Sequence, residues 1–176
     1  ITIAFSDGTN DLTAQTTAIT VTDVNDQTPA VSVAATYSQA EATATTFQTY
    51  TITDSDTTGT YTCTLGGDDA ADFSASISAK VCTVVWAAAP NYESPADTGT
   101  NNVYDITIAF SDGTNDLTAQ TTAVTVTDTN DQTPAATVAA TYSQAEATAT
   151  TFQTYTITDS DTTGRSEEHT SELQSQ

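Results

Sequence analysis

Tyr104-Asp105-Ile106-Thr107-Ile108-Ala109-Phe110-Ser111-Asp112-Gly113-Thr114-Asn115-Asp116 alternates apolar with polar residues and then breaks into a short polar segment. Tyr104, Ile106, Ile108 and Phe110 fall on alternate positions, the period of a strand with one face buried. Ser111 to Asp116 is turn chemistry, with short polar side chains that bond their own backbone around a glycine. Beyond it Thr122 to Thr127 alternates again, with Val124 and Val126 on one face. The stretch reads as a β-hairpin with one face in a core.

Residues 31–35, 47–53, 60–65 and 80–86 are further strand candidates. They are dominated by Thr, Val, Ile and Tyr, which suit a pleated surface. Helix signals are nearly absent, because the alanine-rich stretches are interleaved with threonine. About seven short strands separated by turns predict an all-β fold, a Greek-key, immunoglobulin-like seven-strand β-sandwich. Tyr61, Cys63 and Leu65 would point inward from one strand, and Cys82, Val84 and Trp86 from another. Trp86 reads as a core aromatic. A Cys63–Cys82 bridge and a pair of buried free thiols both fit the pattern. Asp68, Asp69 and Asp72, beside Gly66-Gly67, read as a turn.

The hairpin sequence occurs twice. Residues 1–59 and 106–164 align without a gap at an offset of 105, differing only at Ile19/Val124, Val24/Thr129, Val31/Ala136 and Ser32/Thr137. A unit of that length is too long for a solenoid turn and suits a whole sandwich domain. The expected organisation is the closing hairpin and linker of a preceding repeat over 1–28, one complete repeat over 29–133, and the first part of a following repeat over 134–164. The chain has no methionine, so Ile1 is expected to be internal to a longer protein. After Gly164 the repeat stops, and Arg165-Ser166-Glu167-Glu168 stands where a counterpart of Thr60-Tyr61-Thr62-Cys63 is expected. Residues 165–176 resemble the translation of a short sequencing adapter, and the expectation is a non-native tail with no part in fold or function.

The charge balance is 2 Lys+Arg against 23 Asp+Glu, a net charge of −21. So few cations exclude neutralisation of nucleic-acid phosphates. No apolar run reaches the roughly 18 residues of a membrane-spanning helix. The one histidine, His169, lies in the divergent tail. No nucleophile–base pair or glycine-rich phosphate loop is visible, so no enzyme is predicted. Paired acids such as Asp54 and Asp56, of the kind used by carbohydrate-active enzymes, are the least favoured reading.

The acids instead gather at particular places. Asp23-Val24-Asn25-Asp26-Gln27-Thr28-Pro29 recurs as Asp128-Thr129-Asn130-Asp131-Gln132-Thr133-Pro134. Each copy follows the last strand of one unit and precedes the first of the next. The proline ends the ladder and stiffens the linker. Two acids and an asparagine within four residues offer hard oxygen ligands on a short irregular backbone. Calcium takes about six to eight such oxygens.

These linkers resemble the cadherin family, whose inter-domain pattern Asp-x-Asn-Asp-x-x-Pro both copies match. Other hallmarks stand in the family's order: Glu41 in Gln39-Ala40-Glu41-Ala42, the Asp54-Ser55-Asp56 loop, and Asp112 in Phe110-Ser111-Asp112-Gly113. The family's Asp-Arg-Glu motif is partly met by Asn91-Tyr92-Glu93, where Asn91 replaces the acid. Residues 89–97 look more like bacterial cadherin-like repeats than animal ones. The resemblance spans 1–164 and implies tandem sandwich repeats with calcium ions between neighbours. It implies Glu41, Glu93, Asp128, Asn130, Asp131, Asp159 and Asp161 as ligands at the second junction. At the first it implies Asp23, Asn25, Asp26, Asp54, Asp56 and Asp112. The carboxylates in these two sets are eleven of the 23 in the chain, so the acidity is concentrated where cations would offset it. The implied function is a calcium-rigidified extracellular array in cell adhesion, homophilic or towards a surface ligand, with a passive calcium-stiffened stalk as the alternative. The implied partners are calcium, neighbouring repeats of the same chain, and like repeats on another cell or a surface ligand, at the cell surface.

Overall fold

A computed structural model of the chain describes residues 1–42, 46–141, 143, 146 and 155–162. The expectation for 165–176 lies outside the described residues. Among the described residues the architecture is all-β with one short 3₁₀ turn at Ala70–Asp72. A first hairpin pairs β1 (Thr2–Ser6) with β2 (Asp11–Thr16). Seven strands then form two facing sheets: β3 (Thr36–Ala40), β4 (Thr46–Thr51), β5 (Thr62–Gly66), β6 (Phe73–Ser78), β7 (Val81–Trp86), β8 (Val103–Ser111) and β9 (Asp116–Thr127). One sheet has the order β3-β9-β8-β5 and the other β4-β7-β6. A last small pair joins β10 (Ala135–Ala136) to β11 (Ile157–Thr158).

The hairpin that opened the reading is β8–β9. Tyr104, Ile106, Ile108 and Phe110 are all buried, as are Val124 and Val126. Facing them from the other sheet are Phe47, Tyr50, Phe73, Cys82, Val84 and Trp86, and the two inner faces interdigitate as in sandwiches generally. Trp86 stacks 4.2 Å from Phe73 and meets the Tyr104 edge at 4.9 Å. Its indole N–H donates to Gln39 Oε1 at 3.2 Å, so the buried polar handle is satisfied. Cys63 on β5 and Cys82 on β7 are disulfide-bonded, Cα atoms 6.1 Å apart, tying one sheet to the other.

Three local readings change. The 31–35 segment is not a strand; Ala30 makes an isolated bridge to Thr53, and the pairing strand is β3. β3 lies parallel to β9, Thr36 beside Ala123 through Ala40 beside Thr127, a long-range pairing that local composition does not encode. β6 escapes composition because its outward positions are serine, but Phe73, Ala75 and Ile77 alternate inward against β7. Asp69 is more than a turn residue. It is buried and its carboxylate accepts the N–H groups of Thr98 and Asp105, both at 2.7 Å.

Candidate metal centres at the two linker seams

The first seam lies where the 23–29 linker crosses the ends of the next sandwich. Past β4 the chain turns through Asp54-Ser55-Asp56. Asp54 Oδ1 accepts the Asp56 N–H at 3.0 Å, closing an Asx turn. Asp56 is buried, and its Oδ2 accepts the linker N–H groups of Asp26 at 2.9 Å and Gln27 at 2.7 Å. Asp23 Oδ2 accepts from Thr57 N at 2.7 Å and Thr57 Oγ1 at 2.8 Å. These donors, the backbone N–H first, hold the Asp23 carboxyl below the usual carboxylate range. Asp112, in the β8–β9 turn, accepts from Thr114 N and Asn115 N at 2.8 and 2.7 Å. Burial pushes that carboxyl up, but the Asn115 and Thr114 N–H groups prevail and hold it below its ordinary value.

Asn25 completes the seam by donating to Asp112 O at 3.3 Å and Thr114 Oγ1 at 3.2 Å. Gly59 permits this approach. It has φ +148°, and a Cβ there would lie 3.1 Å from Asp112 O and 3.3 Å from Asn25 Nδ2. The outcome is a triad: Asp54, Asp56 and Asp112 each present a carboxylate oxygen within 4.8 Å of the other two.

The second seam repeats the first at the 105-residue offset. Asp161 N–H donates to Asp159 Oδ1 at 3.1 Å, Gln132 N–H to Asp161 Oδ2 at 2.9 Å, and Thr162 N–H to Asp128 Oδ2 at 2.6 Å. The Thr162 hydroxyl also bonds Asp128 Oδ2. Two glutamates of the complete sandwich join it. Glu41, just past β3, is 1% exposed; its Oε1 accepts Thr129 N–H at 2.8 Å and its Oε2 accepts Tyr92 N–H at 2.7 Å. Glu93 lies beside it with both carboxyl oxygens buried and, among the described residues, no hydrogen-bond donor from another residue on either. Two triads overlap on Glu93: Glu41, Glu93 and Asp131, and Glu93, Asp128 and Asp161, each within 4.8 Å. Burial pushes the Glu93 carboxyl up to about 7, reinforced by the negative charges of Glu41, Asp131 and Asp161.

Of the residues singled out from sequence, Asp54, Asp56 and Asp112 meet at the first seam, and Glu41, Glu93, Asp128, Asp131 and Asp161 at the second. Asp23 and Asp26 flank the first triad, docked through Thr57 and through a backbone N–H respectively. Asn25 reaches Asp112 directly. Asp159 stands behind Asp161, outside either triad, and Asn130 lies in the linker between Asp128 and Asp131. Asn91 spends its side-chain oxygen on Ser94 N–H at 2.9 Å, a local turn. Sequence reading missed Tyr61 and Lys80. The Tyr61 hydroxyl donates to Asp54 Oδ2 at 3.0 Å, and Lys80 Nζ donates to the carbonyls of Asp54 at 2.9 Å and Asp56 at 3.2 Å. They lie 7 and 26 positions from Asp54 along the chain, too far for any local motif to connect them.

The donor set fits a hard divalent cation. Every candidate ligand is a carboxylate or amide oxygen, the chemistry of calcium rather than of zinc. Buried polar atoms are ordinarily hydrogen-bonded, yet both Glu93 oxygens, Asp161 Oδ1 and Asn25 Oδ1 have no partner among the described residues. Such orphaned acceptors, converging beside other carboxylates, suit a cation that takes their lone pairs and offsets their repulsion.

No protein-family model matches the chain, and no curated protein matches its sequence. Solved structures do resemble it. A structure of the protocadherin gammaB7 EC3-6 cis-dimer aligns at TM-score 0.52 and 21% identity, over 80% of this chain and 34% of that one. The human desmocollin-1 ectodomain aligns at TM-score 0.54 and 14% identity, over 71% and 26%. Human CDH23 EC21-23 aligns at TM-score 0.52 and 22% identity, over 80% and 46%. The chain thus spans about a third of the length of the protocadherin chain. With that strand order and this likeness, the chain carries the fold of a cadherin-like β-sandwich domain.

Proposed function

We propose that the chain is part of a calcium-binding tandem array that acts in adhesion outside the cell. The observation that carries this reading is Glu93. Its carboxyl is buried among Glu41, Asp131 and Asp161 with no donor from another described residue, where the sandwich meets the linker and the start of the next unit. The proposed units are 1–28, 29–133 and 134–164. The proposed calcium ligands are Glu41, Glu93, Asp128, Asn130, Asp131, Asp159 and Asp161 at the second seam. At the first they are Asp23, Asn25, Asp26, Asp54, Asp56 and Asp112.

The bound ions would supply positive charge between groups that otherwise repel. The chain's own residues do the rest. Asp56 and Asp161 grip the linker N–H groups, Thr57 and Thr162 hold the linker's first aspartate, and Glu41 fixes the linker at Thr129. Each ion then ties groups of two units together and stiffens the array. Extracellular calcium modules bind at about 10⁻⁴ to 10⁻³ M, a range that suits such a role. The disulfide supports an oxidising compartment. The likeness to protocadherin and desmocollin ectodomain structures supports an adhesive parent, and the near-identity of 1–59 and 106–164 favours a stalk of stacked repeats as the second reading.

Small-angle scattering with calcium and with chelator tests the stiffening. The maximum dimension should become larger and narrower in distribution with calcium; an identical distribution in both buffers overturns it. Aggregation of coated beads in calcium separates direct adhesion from a passive stalk.

A further inference from the structure

Lys80 is the chain's only lysine. It sits at the β6–β7 turn, half-buried, and makes no ion pair with a carboxylate among the described residues. Its ammonium bonds instead to the backbone carbonyls of Asp54 and Asp56, the two residues whose carboxylates face Asp112. It also lies 5.2 Å from the centroid of the Tyr61 ring, whose hydroxyl bonds Asp54. A fixed positive charge thus backs the acidic loop through its carbonyls, without engaging the carboxylate oxygens.

We propose that Lys80 is a built-in counter-charge that weakens calcium binding at the first seam and steadies that seam when no ion is bound. This rests on the calcium reading. Two consequences of the ammonium compete. It could favour the ion by ordering the loop, or oppose it by repulsion. Ordering is the smaller effect, because the loop is held without Lys80. Asp54 accepts from Asp56 N–H and Tyr61, and Asp56 accepts from Asp26 and Gln27 N–H. Repulsion between a unit charge and a divalent ion on the same three-residue loop survives even in a water-like dielectric, where it changes affinity about fivefold. Lys80 therefore sets the calcium level at which the first seam fills.

The test titrates calcium into the full chain, Lys80→Gln and Lys80→Arg, following amide resonances of Gln27, Thr57 and Asn115 at the first seam and Tyr92 and Thr129 at the second. Lys80→Gln should bind about fivefold tighter at the first seam only, and about 1 M salt should erase the gain. Lys80→Arg keeps the charge and should stay within about twofold of the parent. Acetylation of the folded chain neutralises Lys80 together with the Ile1 α-amine and should act like Lys80→Gln, whereas the same treatment of Lys80→Arg, which caps the α-amine alone, should leave first-seam binding unchanged. Equal or weaker binding by both charge-neutral forms, or a gain that persists in high salt, overturns the role of Lys80 alone. No calcium uptake by the parent chain overturns the calcium reading and this inference with it.

Discussion

At the scale of single residues, Glu93 carries the sharpest consequence. Its carboxyl, ordinarily near 4.5, is raised to about 7 by burial and its acidic neighbours. The folded ion-free chain therefore holds that proton more tightly than the unfolded chain. Linkage then makes stability greatest below about 4.5 and lowers it as pH rises through about 7. Asp23 and Asp112 act oppositely, since their lowered values give stability that is lost only as pH falls below the ordinary 3.8. The chelated chain should thus melt at lower temperature at pH ~8 than at pH ~5.5, and Glu93→Gln should flatten that difference. Scanning calorimetry in chelator checks it; a melting point independent of pH over that interval in the parent chain refutes the assignment. Calcium uptake near pH ~6 should release protons, seen as a dependence of binding heat on buffer ionisation enthalpy. At Gly59, a φ of +148° strains any side chain, and a Cβ would press on Asp112 O and Asn25 Nδ2 at 3.1 and 3.3 Å. Gly59→Ala should weaken calcium binding at the first seam and leave the second unchanged, as read from the same resonances.

At the scale of elements, two hairpins provide a controlled comparison. Residues 1–16 and 106–121 are identical in sequence, and both fold with the same register, Phe5 opposite Leu12 and Phe110 opposite Leu117, with a bulge just before. Their surroundings differ. Ile108 and Phe110 are 0% and 1% exposed, whereas Ile3 and Phe5 are 43% and 57% exposed. Ile108→Ala should cost about 3 kcal/mol in chemical denaturation. Ile3→Ala should cost under about 0.5 kcal/mol in the same chain. A similar cost for both would mean that the first hairpin packs on something. The Cys63–Cys82 bridge links β5 to β7 across a separation of 19 residues. Replacing both cysteines by alanine should lower unfolding free energy by about 3 kcal/mol while the strand content in circular dichroism stays native.

At the scale of the whole molecule, charge and architecture are segregated. The outward faces of the sheets carry Thr62, Thr64, Ser74, Ser76, Ser78 and Thr83, while the predicted ligands sit at the ends of strands and in linkers. A net charge of −21 concentrated in this way makes the chelated array self-repelling. Monovalent salt should raise the melting temperature of the chelated chain by screening. Millimolar calcium should raise it further at far lower ionic strength, because ligation at the seams acts on the folded state alone. Equal stabilisation by calcium and by sodium at matched ionic strength would reduce the seams to ordinary acidic turns.

The hairpin, the inward residues of β7 to β9 and the linker motif were legible in the sequence. These rest on alternation and turn chemistry within a few residues, which act alike wherever the segment lies; that is why residues 1–16 copy 106–121 even without a covering sheet. The resemblance of the linkers and acidic loops to the cadherin pattern also picked out the acids that the seams bring together. The tertiary structure decided the rest. Which of two readings held for Cys63 and Cys82, the parallel pairing of β3 with β9, the burial of Ile108 but not Ile3, and the bracing of Asp54 by Tyr61 and Lys80 all depend on long-range contacts. So does the raised Glu93 carboxyl, since no residue can be desolvated by its own sequence: burial and like charge come from the elements that close over it.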